Sequence, residues 1–169
     1  MHGRALDRPD RQVDALGGRG LIEAIDHVGL AVADLDAAVD LHTRVLGWRL
    51  VHTETNHDQQ VTEAVLETGD GTGAQLQLMA PLNENSVIAR FLDRKGPGLQ
   101  QVAYRVSDVA VVSTVLRERG LRLLYDEPRS GTAGTLINFV HPQDTFGVLI
   151  ELVEHPALPV GGQPAEAGS

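Results

Sequence analysis

The sequence predicts an α+β fold in which two tandem βαβββ modules lie side by side, forming a curved, incomplete barrel with a central cleft. Three observations carry that prediction. The stretch Ile25-Asp26-His27-Val28-Gly29-Leu30-Ala31-Val32-Ala33-Asp34 returns as Leu99-Gln100-Gln101-Val102-Ala103-Tyr104-Arg105-Val106-Ser107-Asp108, so that His27 faces Gln101 (101 − 27 = 74) and Asp34 faces Asp108. Gln75-Leu76-Gln77-Leu78-Met79 aligns with Leu149-Ile150-Glu151-Leu152-Val153 at the same offset (151 − 77 = 74). Between those landmarks, hydrophobic periodicity gives the same order of elements in each half.

The first strand covers residues 24–32, an apolar run ended by Asp34, which stands where a helix N-cap belongs. Leu35, Ala38, Val39, Leu41 and Val45 space out an amphipathic helix over 34–45, stopped by Gly47. Residues 48–53 and 61–68 read as the second and third strands, joined by a polar connection at 56–60. Asp70-Gly71-Thr72-Gly73 is a tight turn into a fourth strand at 74–80. A linker at 81–98 holds a short helix over 86–94. The second half repeats the order, with a strand at 99–106, a helix at 108–119 ending at Gly120, and a strand at 121–125. A Gly-containing loop at 128–134 follows, then strands at 135–140 and 148–153 around a turn at 141–147. The domain therefore runs over 21–155, as modules 24–80 and 99–153, between polar, Gly- and Pro-containing tails at 1–20 and 156–169 that read as disordered.

At 169 residues the chain is long enough to bury a proper core. No run approaches the eighteen or so apolar residues of a membrane span, and residues 1–20 contain no apolar signal-peptide segment. Cysteine is absent, which removes disulfides and thiolate chemistry and fits a cytoplasmic setting. The formal charge of −9 argues against nonspecific nucleic-acid binding, so an anionic ligand needs a local basic cluster. Lys95 is the only lysine, which leaves arginine to supply nearly all of the positive charge.

The candidate site lies at the matched positions. His27, Gln77, Gln101 and Glu151 are polar residues inside apolar strands, one per matched strand, and alternation sends Gln75, Gln77 and Met79 to one face, as it does Leu149, Glu151 and Val153. A lone polar residue on a buried face needs a partner, and a metal ion is one. Read from the residues alone, a hydrogen-bonded core histidine at 27, and glutamines at 77 and 101 that bond each other or a buried water, remain open. His42, His52 and His57 have no matched partner and read as surface or loop residues. The loop Arg129-Ser130-Gly131-Thr132-Ala133-Gly134 is a weak candidate for an anion cradle.

Ile25-Asp26-His27-Val28, Leu46-Gly47-Trp48, Gln77-Leu78-Met79-Ala80-Pro81-Leu82, Leu123-Leu124-Tyr125-Asp126-Glu127-Pro128, Ile137-Asn138-Phe139, His141-Pro142 and Gly147-Val148-Leu149-Ile150-Glu151-Leu152 together resemble the vicinal oxygen chelate (glyoxalase/bleomycin-resistance) superfamily. Within it, the chain is similar to the methylmalonyl-CoA epimerases over about residues 22–155. The resemblance implies that His27, Gln77, Gln101 and Glu151 are metal ligands and that Glu63, in Val61-Thr62-Glu63-Ala64, is the catalytic general base. Its fourth ligand is ordinarily the second histidine of a Leu-His-His segment, which here reads Leu99-Gln100-Gln101. Gln60 stands where a glycine is usual, Thr135 where Arg or Lys is common, and Gln143 where Lys commonly follows His-Pro.

That resemblance implies epimerisation of methylmalonyl-CoA or a related 2-alkylmalonyl thioester by α-proton abstraction and return, with Glu63 as base and Glu151 at the opposite face. The implied cofactor is a divalent metal such as Co, Mn or Mg, weakly held or absent because an amide replaces an imidazole. The implied partners are an acyl thioester or other small molecule and a second copy of the chain, with neither nucleic acid nor membrane. Two other readings stand beside this one. The first is a fold relative redirected to another proton transfer or rearrangement in a biosynthetic pathway, and the second is a metal-free small-molecule binding protein.

Overall fold

The computed structural model describes residues 20–57 and 59–156, so the tails predicted at 1–20 and 156–169 fall almost wholly outside the described residues. The strands are β1 (Ala24–Ala31), β2 (Arg49–Asn56), β3 (Val61–Glu67), β4 (Gln75–Pro81), β5 (Gly98–Arg105), β6 (Arg129–Ser130), β7 (Leu136–Val140) and β8 (Leu149–Glu154). The helices are α1 (Leu35–Asp40), extended by a wider π turn over Leu41–Val45, α2 (Val87–Lys95) and α3 (Val109–Glu118). All eight strands form one curled sheet in the order β2-β3-β4-β1-β5-β8-β7-β6.

The repeat is written into the hydrogen-bond register. β1 pairs with β4 in parallel, His27 opposite Gln75, and β5 pairs with β8 in parallel, Gln101 opposite Leu149, so both partners shift by the same 74 residues. β3 against β4 and β7 against β8 behave alike, with Glu63 opposite Met79 and Ile137 opposite Val153. The halves meet along β1 and β5, which run antiparallel. Each helix after the first strand of a module starts on an aspartate, Asp34 accepting from Ala37 N (3.0 Å) and Asp108 from Val111 N (2.8 Å).

Strand alternation separates the two faces of the sheet. Ala64, Leu66, Leu76 and Leu78 turn one way and pack with Val28, Leu30, Leu35 and Val39, burying the apolar side of α1. Val109 and Val112 of α3 pack in the same manner on Leu152. Glu63, Val65, Gln77, Met79, Gln101 and Glu151 turn the other way and line the cleft. The segment predicted as a strand at 121–125 is reduced to one bridge, Leu123 opposite Val140. Asn138 explains why no ladder is needed there: fully buried on β7, it accepts from Tyr125 N (3.2 Å) and donates to Tyr125 O and Ser113 Oγ (3.1 Å each). Among the described residues, no helix is long and apolar enough to cross a membrane.

Two β-bulges interrupt the β1–β5 seam. Ile25 pairs with Tyr104 and His27 with Ala103, leaving Asp26 as the extra residue of β1; Gly29 pairs with Gln101 and Leu30 with Leu99, leaving Gln100 as the extra residue of β5. Asp26 and Gln100 are again related by the repeat offset (100 − 26 = 74).

Candidate active site

A cavity of about 340 Å³ opens between the halves. His27 comes from β1, Glu63 from β3, Gln77 from β4, Gln101 from β5 and Glu151 from β8, so five strands and both modules contribute. Glu63, Gln77, Gln101 and Glu151 are all buried.

The four matched residues converge. Gln101 Nε2 donates to Glu151 Oε2 at 2.6 Å, and lies 3.3 Å from both Gln77 Oε1 and His27 Nε2. His27 Nε2 is 3.2 Å from Glu151 Oε2. An oxygen at the end of Gln101 facing the Glu151 carboxylate at that distance would be repulsive, so the amide nitrogen must face it when the side chains satisfy one another. Gln77 is oriented from both sides: its Nε2 donates to Glu63 Oε2 at 2.8 Å, which turns its Oε1 toward Gln101. One hydrogen-bonded path thus joins the two buried carboxylates, Glu63–Gln77–Gln101–Glu151.

Gly29 makes room for this cluster. A Cβ there would lie 2.6 Å from Gln101 Cγ and 2.8 Å from Met79 Cε, well inside contact distance, so only glycine lets the Gln101 side chain lie across β1.

The charges follow from these contacts. Burial opposes the charged form of His27, yet its hydrogen bonds to Asp26 and Glu151 outweigh that and raise it to about 9. Protonated, His27 points Nε2–H at Glu151; neutral, it accepts from Gln101. Burial raises Glu63, the Gln77 hydrogen bond opposes the rise, and the negative charges of Glu54 and Glu151 add to it. Burial would raise Asp26 too, but hydrogen bonds from His27 Nδ1 (3.1 Å), His155 Nε2 (2.7 Å) and Arg105 Nε (2.9 Å) hold it well below the ordinary carboxylate range.

Four features beyond the matched residues emerge. Asp26 buttresses His27, and the bulge that turns it inward leaves no trace in the pattern of residue types. His52, read from the sequence as a surface or loop residue, is exposed on β2, where it borders the cleft beside Val51 and bonds Glu54 (2.9 Å), next to a register shift between Leu50 and His52. Thr132, in the Gly-containing loop, places Oγ1 3.5 Å from Glu63 Oε2. Gln60, where the resemblance expects glycine, has φ of 58°, the left-handed conformation that glycine adopts most easily. Its side chain bonds His57 O and Asn83, which helps hold that conformation.

This fold and cleft define a class, the paired-module proteins that carry their chemistry between two βαβββ halves. The chain belongs to the Glyoxalase/Bleomycin resistance protein/Dioxygenase superfamily, whose model matches residues 26–139. It is 33% identical over 134 residues to the ethylmalonyl-CoA/methylmalonyl-CoA epimerase of Cereibacter sphaeroides, covering 78% of this chain and 98% of that one. It is similar to the crystal structure of methylmalonyl-CoA epimerase from Mycobacterium tuberculosis, with a TM-score of 0.77 and 55% identity over 81% of this chain and 91% of that chain. A methylmalonyl-CoA epimerase in complex with methylmalonyl-CoA and ammonium superposes with a TM-score of 0.75 and 42% identity, covering 80% and 96% of the respective chains.

Proposed function

We propose that this chain epimerises methylmalonyl-CoA or a closely related 2-alkylmalonyl thioester. The observation that carries the reading is the pair of buried carboxylates, Glu63 and Glu151, joined through two oriented carboxamides in a cleft between the modules. Epimerisation removes the proton from the carbon between thioester and carboxylate, then returns one to the opposite face, so it needs two proton-carrying groups. Glu63 takes the first role. Burial, aided by the charges of Glu54 and Glu151 and opposed by the Gln77 bond, raises its proton affinity toward that of a useful base, and Gln77 keeps one oxygen fixed while Thr132 lies beside it. Glu151 takes the second.

The cluster suits a hard divalent ion. His27 Nε2 and Glu151 Oε2 converge at 3.2 Å, so one small cation could take both as donors. His27 Nε2, Gln77 Oε1, Glu151 Oε2 and, after a half-turn of its carboxamide, Gln101 Oε1 would be the donors. Among the described residues, no group of three or more His, Cys, Asp or Glu side chains is placed to hold a metal, so two of the four donors are amides and the set favours hard ions held weakly. A bound divalent ion supplies Lewis-acid stabilisation of the enolate charge. Asp26 holds Nδ1–H of His27, which leaves Nε2 as the free lone pair of the neutral ring.

The reading includes a cytoplasmic homodimer. The lack of cysteine supports the compartment. The exposed run Leu41, Val45, Leu46, Leu50 and Val51 supports burial against a second copy.

Incubating the protein with methylmalonyl-CoA in D₂O tests the reading directly. Deuterium should enter the α-carbon with added Co²⁺ and much more slowly after chelation; no exchange in any metal condition would reject it.

A further inference from the structure

Asp26 and His27 are consecutive, yet both line the cleft. Neighbours on a regular strand point to opposite faces, so this pair depends on the bulge that makes Asp26 the extra residue of β1. The buried Asp26 carboxylate is divided between two tasks. Its Oδ1 meets His27 Nδ1 at 3.1 Å. Its Oδ2 meets Arg105 Nε and Nη2, both at 2.9 Å, and His155 Nε2 at 2.7 Å. An ionised carboxylate only accepts, so His27 carries a proton on Nδ1 and His155 carries one on Nε2. Arg105 ends β5 and His155 follows β8, so both half-exposed cations come from the second half of the chain.

The repeat supplies an internal comparison. Asp26 and His27 answer to Gln100 and Gln101, while Arg105 and His155 answer to Ala31 and Pro81 (105 − 31 = 155 − 81 = 74). Ala31 and Pro81 have no side-chain donor, so the arrangement is built at His27 and not at Gln101. The difference has a physical reason. An imidazole has two nitrogens, and which of them is left free depends on what holds the other. A carboxamide has a single oxygen to offer, and rotation about one bond presents it. A carboxylate bonded through Oδ1 alone could also swivel about its Cβ–Cγ bond. With Oδ2 held by donors from two other segments, that rotation is blocked. Oδ1 stays at Nδ1, and His27 Nε2 keeps its aim at Glu151 Oε2, 3.2 Å away.

We propose that Arg105 and His155 are positioning residues for His27, acting through Asp26 to fix the ring with Nε2 turned to the divalent-ion site. This rests on the ligand set proposed above and deepens it: the second half of the chain orients the one imidazole ligand that the first half supplies.

The test is Co²⁺ titration by calorimetry at a fixed pH, beside urea unfolding of each protein. His155→Leu should weaken Co²⁺ binding about tenfold, and Arg105→Met/His155→Leu up to about a hundredfold, the range seen when the group behind a ligating histidine is lost. His155→Gln, whose amide nitrogen can donate where the ring nitrogen did, should return the affinity to within about threefold of wild type. Equal losses in His155→Leu and His155→Gln would overturn the hydrogen bond to Asp26. In an Asp26→Ala background, His155→Leu should add nothing, since its route to the ring is gone; a further loss there would overturn action through Asp26. The Co²⁺-loaded protein gives a second readout, the hyperfine-shifted Nδ1–H proton resonance of His27. It should be sharp in wild type and broadened by exchange with water in the Arg105→Met/His155→Leu protein. Residues that only support the fold would lower the urea midpoint and leave the affinity and this resonance unchanged. Wild-type Co²⁺ affinity in the double variant would therefore reject the positioning role and leave the ligand set standing. No Co²⁺ uptake by wild type would reject the ligand set and this proposal together.

Discussion

Replacing Glu63 by glutamine tests its proposed role as base with little steric change. Glu63 Oε2 accepts from Gln77 Nε2 at 2.8 Å, and the amide oxygen of the new side chain can accept the same bond. The Gln77 carboxamide therefore keeps its orientation, and with it the contact of Gln77 Oε1 to Gln101. Stability should change by less than about 1 kcal/mol, because a buried carboxyl whose proton affinity is already raised gives up little when it becomes neutral. The rate is another matter. Losing a positioned general base typically lowers rates about 10²–10⁴-fold, or about 3–5 kcal/mol of barrier. The assay is α-deuterium incorporation into methylmalonyl-CoA, read by mass spectrometry beside urea unfolding of both proteins. Exchange by Glu63→Gln within about threefold of wild type, with the fold intact, would show that Glu63 does not move the proton.

Two further results are expected. Gln101→His should tighten Co²⁺ binding in calorimetry by about tenfold or more, since a neutral imidazole is a stronger donor than an amide carbonyl; unchanged or weaker uptake would remove Gln101 from the ligand set. His27 binds its proton more tightly in the fold, at about 9 against 6.5, so the metal-free protein should hold its full stability below about pH 6.5 and lose up to about 3 kcal/mol as pH rises through 9. A urea midpoint that stays flat across that window in chelated protein would refute this linkage.

Much of the architecture was legible because the repeat repeats its physics. Two aspartates cap two helices at one offset, and two pairs of parallel strands share one register, so residue types alone located His27, Gln77, Gln101 and Glu151 on one face. The site features that escaped depend on backbone phase. Bulges at Asp26 and Gln100, and a register shift before His52, alter which way a side chain points without altering which residue occurs. Leu121 to Tyr125 looked like a strand because its residues are apolar. Asn138 satisfies the backbone of Tyr125 through its side chain, so no ladder forms there beyond the Leu123 bridge. The direction in which the Gln101 amide faces follows from the charge on Glu151, which only the assembled cluster reveals.

The register that sets Glu63 opposite Met79 sets Ile137 opposite Val153 in the second module. Both Glu63 and Ile137 line the cleft, so a carboxylate on one flank is answered by a branched hydrocarbon on the other. A perfectly symmetric pair of halves would offer a carbon centre the same group from left and right. Joined in one chain, the halves have been free to differ, and the two flanks of the cleft carry unlike groups. A molecule entering it meets an unlike neighbour at each hand, and the two mirror forms of a substrate are approached by different groups. Of the repeat's polar residues, the second carboxylate sits at the mate of an amide, Glu151 for Gln77, and not at the mate of Glu63. Forward and reverse turnover on such a frame would use the two unlike flanks in exchanged roles, the acid of one direction serving as the base of the other.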